Sequence, residues 1–348
     1  MLATPQSAAR AAAVLALLLP AGLHASTLAR IRAGHTLRCA TIAETPEYST
    51  AGDHGPRTAF DAGLCRAIAI AILGPAARTS LTSYPDDDAA TSALRAGRAD
   101  LIPTLTLDLT HAANPALVFS PPALLDAVGF LVPASAGISA AAQLSGRKVC
   151  LLAETQVEVS VRAWFTRQRL DFVPFPFQEE GEMQAAFVTG NCAALAGDLT
   201  RLAATRAGLG SRASAYALLP DQVSQDPLAA ASPAADPAFA RIVTWTLEVL
   251  LNAEASGLTQ TAAQQLLASP AKQASAASPA LNVLTGGTGQ IGSLLGLDNS
   301  WALRVVAAVG NYGELFHRTL GDGSPLHLPR ALNRLSSDGG QLYPLPLK

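Results

Sequence analysis

One short layout occurs twice in this 348-residue chain, and it restricts the fold to a pair of α/β halves. Leu37-Arg38-Cys39-Ala40-Thr41-Ile42-Ala43-Glu44-Thr45 is an apolar run that ends in a polar turn, and Lys148-Val149-Cys150-Leu151-Leu152-Ala153-Glu154-Thr155 has the same form. A short apolar run bounded by turn residues is the pattern of a buried strand. A second unit also recurs: Leu94 to Ile102 and Phe187 to Leu195 each read as helix end, glycine cap and strand. Gly97 and Gly190 supply the left-handed residue that a helix-to-strand turn favours. Between these units lie amphipathic stripes. Phe60, Leu64, Ala67, Ile68, Ala71 and Ile72 follow Thr58 as an expected N-cap, and Val157, Val161, Trp164 and Phe165 follow Thr155. Strands alternating with helices predict mainly parallel sheets, one per half. Ligands of such sheets sit outside the carboxyl ends of the strands. The predicted cleft is therefore lined by Thr45–Tyr48, Pro103–Thr106, Glu154–Gln156 and Gly197–Asp198.

The amino terminus has the form of an export signal. Arg10 is the only charged side chain before the apolar stretch Ala11 to Leu19, and Pro20-Ala21-Gly22-Leu23-His24-Ala25 follows, with cleavage expected after Ala25. The stretch is shorter than the roughly 20 residues a membrane helix needs. The first cysteine is Cys39, so no lipid anchor is expected near the cut. A formal net charge of −2 provides no basic footprint for nucleic acid.

Four cysteines, Cys39, Cys65, Cys150 and Cys192, read as disulfides in an oxidising compartment. Three pairings are possible. The local choice, Cys39–Cys65 with Cys150–Cys192, places one bridge in each half. None of the spacings is Cys-x-x-Cys, which argues against zinc, and no metal or cofactor is expected.

The tail is dense in aromatic, glycine and asparagine residues: Gly296-Leu297-Asp298-Asn299-Ser300-Trp301, Val309-Gly310-Asn311-Tyr312-Gly313-Glu314-Leu315-Phe316 and Gly339-Gly340-Gln341-Leu342-Tyr343-Pro344. Trp301 to Val309 predicts a helix stopped by Gly310-Asn311. The tail, with Phe60-Asp61-Ala62-Gly63-Leu64-Cys65 and Trp245-Thr246-Leu247-Glu248-Val249-Leu250-Leu251-Asn252, resembles the general L-amino-acid-binding proteins of polar amino acid ABC importers. The likeness covers essentially the whole mature chain. It implies an α/β type II periplasmic binding protein of solute-binding family 3. Two lobes would be joined by two crossings, near Ala127–Val132 and Asp226–Ala230. Residues 1–25 would be the signal, 27–128 the first part of lobe 1 and 129–228 lobe 2. Residues 229–348 would return to lobe 1 and add an extension that packs on that lobe, with Ser278–Gly292 as a flexible connector.

The resemblance also implies function. It suggests a periplasmic monomer that takes a small-molecule ligand, an amino acid, and delivers it to permease subunits driven by a cytoplasmic ATPase. Tyr48 would cover the ligand, and Thr104 and Thr106 would bond its backbone. Thr155 and Gln156 would present a helix N-terminus to its carboxylate, and Asp198 would pair with its ammonium. Two departures stand out. His111 replaces the arginine that grips the carboxylate in a bidentate pair, and Glu154 replaces a glycine before the second-lobe helix. Both imply a shifted ligand preference. If His111 met the carboxylate, binding would tighten as pH falls from about 8 to about 6. No enzyme is expected: the six histidines are dispersed, and neither Gly-x-Ser-x-Gly nor His-Glu-x-x-His occurs. A solute sensor or a diverged binder of another ligand is the alternative, and a cleft enzyme using Glu154 a remote one.

Overall fold

The computed structural model describes residues 25–42, 57–269, 279–287 and 291–347. The expected signal peptide up to His24, and Thr45–Tyr48, lie outside the described residues.

Two five-stranded arrays organise the chain. The first contains β1 (Thr36–Ile42), β2 (Arg78–Tyr84), β3 (Ile102–Thr106), β4 (Leu117–Asp126) and β10 (Asp226–Pro233). β1 pairs in parallel with β2, and the Ala40 amide donates to the Leu101 carbonyl at 2.8 Å, joining β1 to the approach to β3. β10 lies antiparallel between β3 and β4. The order is β2-β1-β3-β10-β4. The second sheet contains β5 (Val128–Pro133), β6 (Lys148–Leu152), β7 (Val173–Phe177), β8 (Ala194–Asp198) and β9 (Tyr216–Leu218), in the order β7-β6-β8-β5-β9. The repeated apolar runs therefore become the corresponding central strands β1 and β6. The expectation of mainly parallel sheets holds for β2-β1-β3 and β7-β6-β8 only. β10 and β5 run antiparallel because each enters its sheet from the other half of the chain.

The helices cover these sheets. α1 (Thr27–Gly34), α2 (Thr58–Leu73) and α3 (Asp87–Arg95) serve the first, with the short α4 (Leu109–Ala112) after β3. α5 (Gln156–Gln168), α6 (Glu180–Val188) and α7 (Leu199–Gly208) follow β6, β7 and β8. The α2 stripe forms as the spacing predicts, with Phe60, Leu64, Ala67 and Ile68 buried. Its cap does not: Arg57 occupies that position, and Thr58 is the first helical residue. Thr155 caps α5, accepting from the Glu158 amide. Gly97 and Gly190 have φ of 66° and 82°, as the turns require.

Both disulfides are the local ones. Cys39 in β1 joins Cys65 in α2 with Cα atoms 6.4 Å apart, and Cys150 in β6 joins Cys192 before β8 at 5.7 Å.

The carboxyl-terminal third packs mainly on the first array. α8 (Pro237–Ala255) and α9 (Gln260–Ala268) precede α10 (Pro279–Leu284) and α11 (Ile291–Leu294). The segment expected to be a connector is thus helical in two of its described parts. α12 (Trp301–Val309) ends at Gly310, whose φ of 78° suits glycine, and α13 (Tyr312–Thr319) starts with a capping box between Asn311 and Glu314. Trp301, Tyr312 and Phe316 are buried in the core of the first lobe. The Tyr312 hydroxyl donates to the Ala123 carbonyl at 2.9 Å, and Asn333 exchanges two hydrogen bonds of 2.8 Å with the Leu125 backbone. The extension is not confined to that lobe, however. Arg206 of α7 donates to the Leu326 carbonyl at 2.6 Å, and Ala203 packs in the same core. Leu202 of α7 packs in the second lobe's core while Ala203 packs in the cluster that holds the extension, a contact that the expectation of one-lobe packing missed.

Candidate ligand site

The chain passes between the sheets twice, from Asp126 to Val128 and from Leu218 to Asp226. Beside these passages lies a cavity of about 320 Å³, within the range of small-molecule sites. Its first-lobe wall is Arg57, Thr106, Asp126, Asp226 and Leu228. The second lobe contributes Thr155, Gln156, Asp198 and Arg201, with an apolar floor of Leu152, Val157, Met183 and Ala196.

Four expected residues therefore meet at one place: Thr106 at the end of β3, Thr155 and Gln156 at the start of α5, and Asp198 at the end of β8. Each follows from strand polarity, since carboxyl ends of parallel strands open into the space between sheets. Of the other expected residues that are described, Thr104 and His111 do not line the cavity. Thr104 is buried, and its hydroxyl donates to Asp61 at 2.6 Å. His111 lies on α4, where its amide and Nδ1 both face Asp108 Oδ1, at 2.8 and 2.9 Å, and Nε2 is 3.9 Å from Asp87. Its ring is occupied by carboxylates of its own lobe. Tyr48 lies outside the described residues.

At the mouth of α5 the Glu154 backbone has a φ of 59°, a region that disfavours side chains with a Cβ. A glycine would fit there without strain. The Glu154 amide donates to Glu158 Oε2 at 3.0 Å, so Glu158 already satisfies one donor at this helix terminus. Arg162 at 2.7 Å and that amide hold the Glu158 carboxyl below its usual range.

The sequence alone did not single out Arg57, Asp126, Arg201 or Asp226. Asp126 and Asp226 are ladder partners at the two inter-sheet passages. Burial pushes the Asp126 carboxyl up, opposed by the Thr200 hydroxyl and by the Arg57 charge. Its oxygens accept from the Ala127 amide at 2.9 Å and from the Thr200 hydroxyl in a short contact. Asp226 accepts from the Ser224 hydroxyl at 2.5 Å, and that oxygen accepts from the Val128 amide at 2.8 Å. An acidic residue at each passage was the available signal. Arg201 pairs with Glu180 at 2.9 Å. Among the described residues no cluster of His, Cys, Asp and Glu could hold a metal ion, and no helix is long and apolar enough to cross a membrane.

No family model matches the chain. It is 31% identical to YhdW of Escherichia coli, which carries the name of an amino-acid ABC transporter-binding protein, over 93% of both chains. It is also 31% identical to the general L-amino acid-binding periplasmic protein AapJ of Rhizobium johnstonii, over 98% of each chain. This chain belongs to the amino-acid ABC transporter-binding protein family. A structure of an ABC transporter periplasmic binding protein from Brucella ovis with glutathione bound matches it with a TM-score of 0.75 and 30% identity. The match covers 93% of this chain and 100% of that one. The fold is the two-lobed type II periplasmic binding protein fold, as the resemblance implied.

Proposed function

We propose that this family member is the periplasmic, unanchored, monomeric ligand-binding component of an amino-acid ABC importer, which closes two lobes over its ligand. The cavity at the two inter-sheet passages carries this reading. It joins residues of both sheets in one site, with Asp126 and Asp226 at the hinges. The lobes would comprise residues 27–128 with the return from 229 onward, and residues 129–228. An α-amino acid would set its ammonium toward Asp198 and its carboxylate toward the amides at the start of α5. An uncharged side chain would rest on Leu152, Val157, Met183 and Ala196. The closed lobes would dock on permease subunits coupled to a cytoplasmic ATPase. No turnover is expected, in keeping with relatives that are named binding proteins.

A small peptide such as glutathione is the second reading, favoured by the Brucella ovis relative and by two arginines in the cavity, which suit a ligand with two carboxylates. A thermal-shift panel of amino acids and glutathione separates the two. Ligand at about 1,000 times its Kd stabilises the native state by about 4.1 kcal/mol. A panel without any shift would defeat both readings.

A further inference from the structure

The amides at the start of α5 can serve one carboxylate of a ligand. A second carboxylate, set beside an apolar floor, needs a cation of its own, because an unpaired charge is costly to bury. Arg201 stands in the first turn of α7 and lines the same cavity. Its Nη1 donates to Glu180 Oε2 of α6 at 2.9 Å. The other oxygen of Glu180 accepts from Gln184 Nε2 at 3.1 Å, and Gln184 also donates to the Thr205 hydroxyl of α7 at 3.3 Å. Met183, three residues along α6 from Glu180, belongs to the apolar floor, and residues three apart are neighbours on a helix. The guanidinium is thus held at the edge of that floor by a network within the second lobe. Among the described residues Nη1 is its one nitrogen with a hydrogen-bond partner, and Nε is buried without any. Buried donors are nearly always satisfied, so this is a cation with unused capacity. We propose that Arg201 is the specificity-determining residue of this site and pairs with the second carboxylate of a dicarboxylic ligand, either an acidic amino acid or a small acidic peptide. This sharpens the two-carboxylate reading above and rests on it.

The placement of Arg201 gives the ligand a direction. Asp198 is the N-cap of α7 and Arg201 its third residue, so one helix end presents an anion and a cation to the cavity. With one carboxylate at α5 and the ammonium toward Asp198, the carbon chain runs over Leu152 and Met183 and its far carboxylate meets Arg201. Glu180 does not line the cavity. It therefore balances the Arg201 charge from outside the site and leaves Nη2, with both its hydrogens, for the ligand. A guanidinium fixed at one end is pre-organised, and its planar fork matches a carboxylate as an ammonium does not. Hydrogen bonds between two charged groups are roughly twice as strong as neutral ones. An amide or ester in place of the far carboxylate keeps much of the shape and loses the charge, so the selection made by Arg201 is electrostatic.

The test is isothermal titration calorimetry of the exported protein with two matched pairs: L-glutamate with L-glutamine, and glutathione with its glycine monoethyl ester. The pair that binds separates amino acid from peptide. Within it the acid should bind about tenfold or more tightly than its neutral counterpart, the difference between a charged and a neutral hydrogen bond. Arg201→Gln should weaken the acid about 10- to 150-fold, the equivalent of one charge-assisted hydrogen bond, and leave the amide or ester nearly unchanged. Arg201→Lys keeps the ion pair with Glu180 but not the planar fork. It should show an intermediate preference, and it decides the matter if Arg201→Gln does not fold. A preference for the acid that is unchanged in either variant overturns the role of Arg201 and leaves the two-carboxylate reading intact. Acids that bind no more tightly than their neutral counterparts, or no binding by any of the four compounds, overturn both.

Discussion

The two lobes share a parallel three-strand unit, β2-β1-β3 in the first and β7-β6-β8 in the second, yet they are held together differently. In the first lobe, Asp100 is buried and receives Arg30 at 2.5 Å and Arg38 at 2.7 Å, tying α1 and β1 to the start of β3. The extension adds a second charged tie, Arg330 to Glu254 of α8 at 2.5 and 3.1 Å. In the second lobe a cluster of rings fills the core between α5 and β5. Phe165 meets Phe130 nearly edge-on with centroids 6.3 Å apart, Trp164 at 5.1 Å and Phe172 at 5.0 Å. One strand pattern thus tolerates two solutions. The first lobe sets one buried carboxylate between two partly exposed arginines, and the second packs ring against ring.

The comparison is most easily broken at Asp100. Asp100→Ala removes a buried acceptor from the Arg38 amide and from two partly exposed arginines, and should cost about 1–3 kcal/mol. Urea denaturation followed by the fluorescence of Trp164, in the second lobe, and of Trp245 and Trp301, in the first, tests it. A loss below about 1 kcal/mol, the range of surface pairs, would show that the arginines are solvated and that the lobes do not differ in this way.

The fold was legible where a local rule had one outcome. The apolar runs around Cys39 and Cys150 could only be buried strands, and Gly97, Gly190 and Gly310 marked turns that the structure makes with positive φ. The cleft was legible at strand ends, which is why Thr106, Thr155, Gln156 and Asp198 meet. It was not legible at the hinges. Asp126 and Asp226 come together through antiparallel insertion of β10, a pairing across 100 residues that no local pattern encodes. His111 is a different case. A position inferred from resemblance lies on α4, where Asp108 and Asp87 of this chain draw its ring aside. The Arg206 contact to the extension was hidden for the same reason as the hinge: it joins residues 120 apart.

A smaller effect sharpens the contrast at the mouth of the second lobe. Glu154 is exposed and adopts a φ of 59°. Its backbone amide, not its side chain, serves Glu158. Glu154→Gly should therefore raise the stability of the protein by about 1 kcal/mol, relief of left-handed strain offset in part by unfolded-state entropy. It should also remove a carboxylate near the α5 terminus and tighten amino-acid binding in calorimetry. A destabilised variant would mean that the Glu154 side chain itself supports the α5 mouth.

The smallest effect belongs to Glu248, and its sign is informative. This α8 carboxylate is wholly buried, with one oxygen accepting from the Leu345 amide at 2.7 Å and the other without a hydrogen-bond partner among the described residues. Burial pushes its carboxyl above the ordinary glutamate range, against the lowering effect of the Leu345 amide. A carboxyl whose folded value is raised binds its proton more tightly folded than unfolded. Its stabilising contribution is then complete below about pH 4.3, the unfolded value, and is lost as pH rises through the folded one. Glu248→Gln keeps an oxygen for the Leu345 amide and removes the titration. The variant should match the unaltered protein near pH 4 and be the more stable of the two at pH 8, with Tm measured across that range. A variant less stable at pH 8 would mean that the Glu248 charge itself anchors the extension, and the first lobe would then rest on one more buried ionic tie than the present contrast assigns to it.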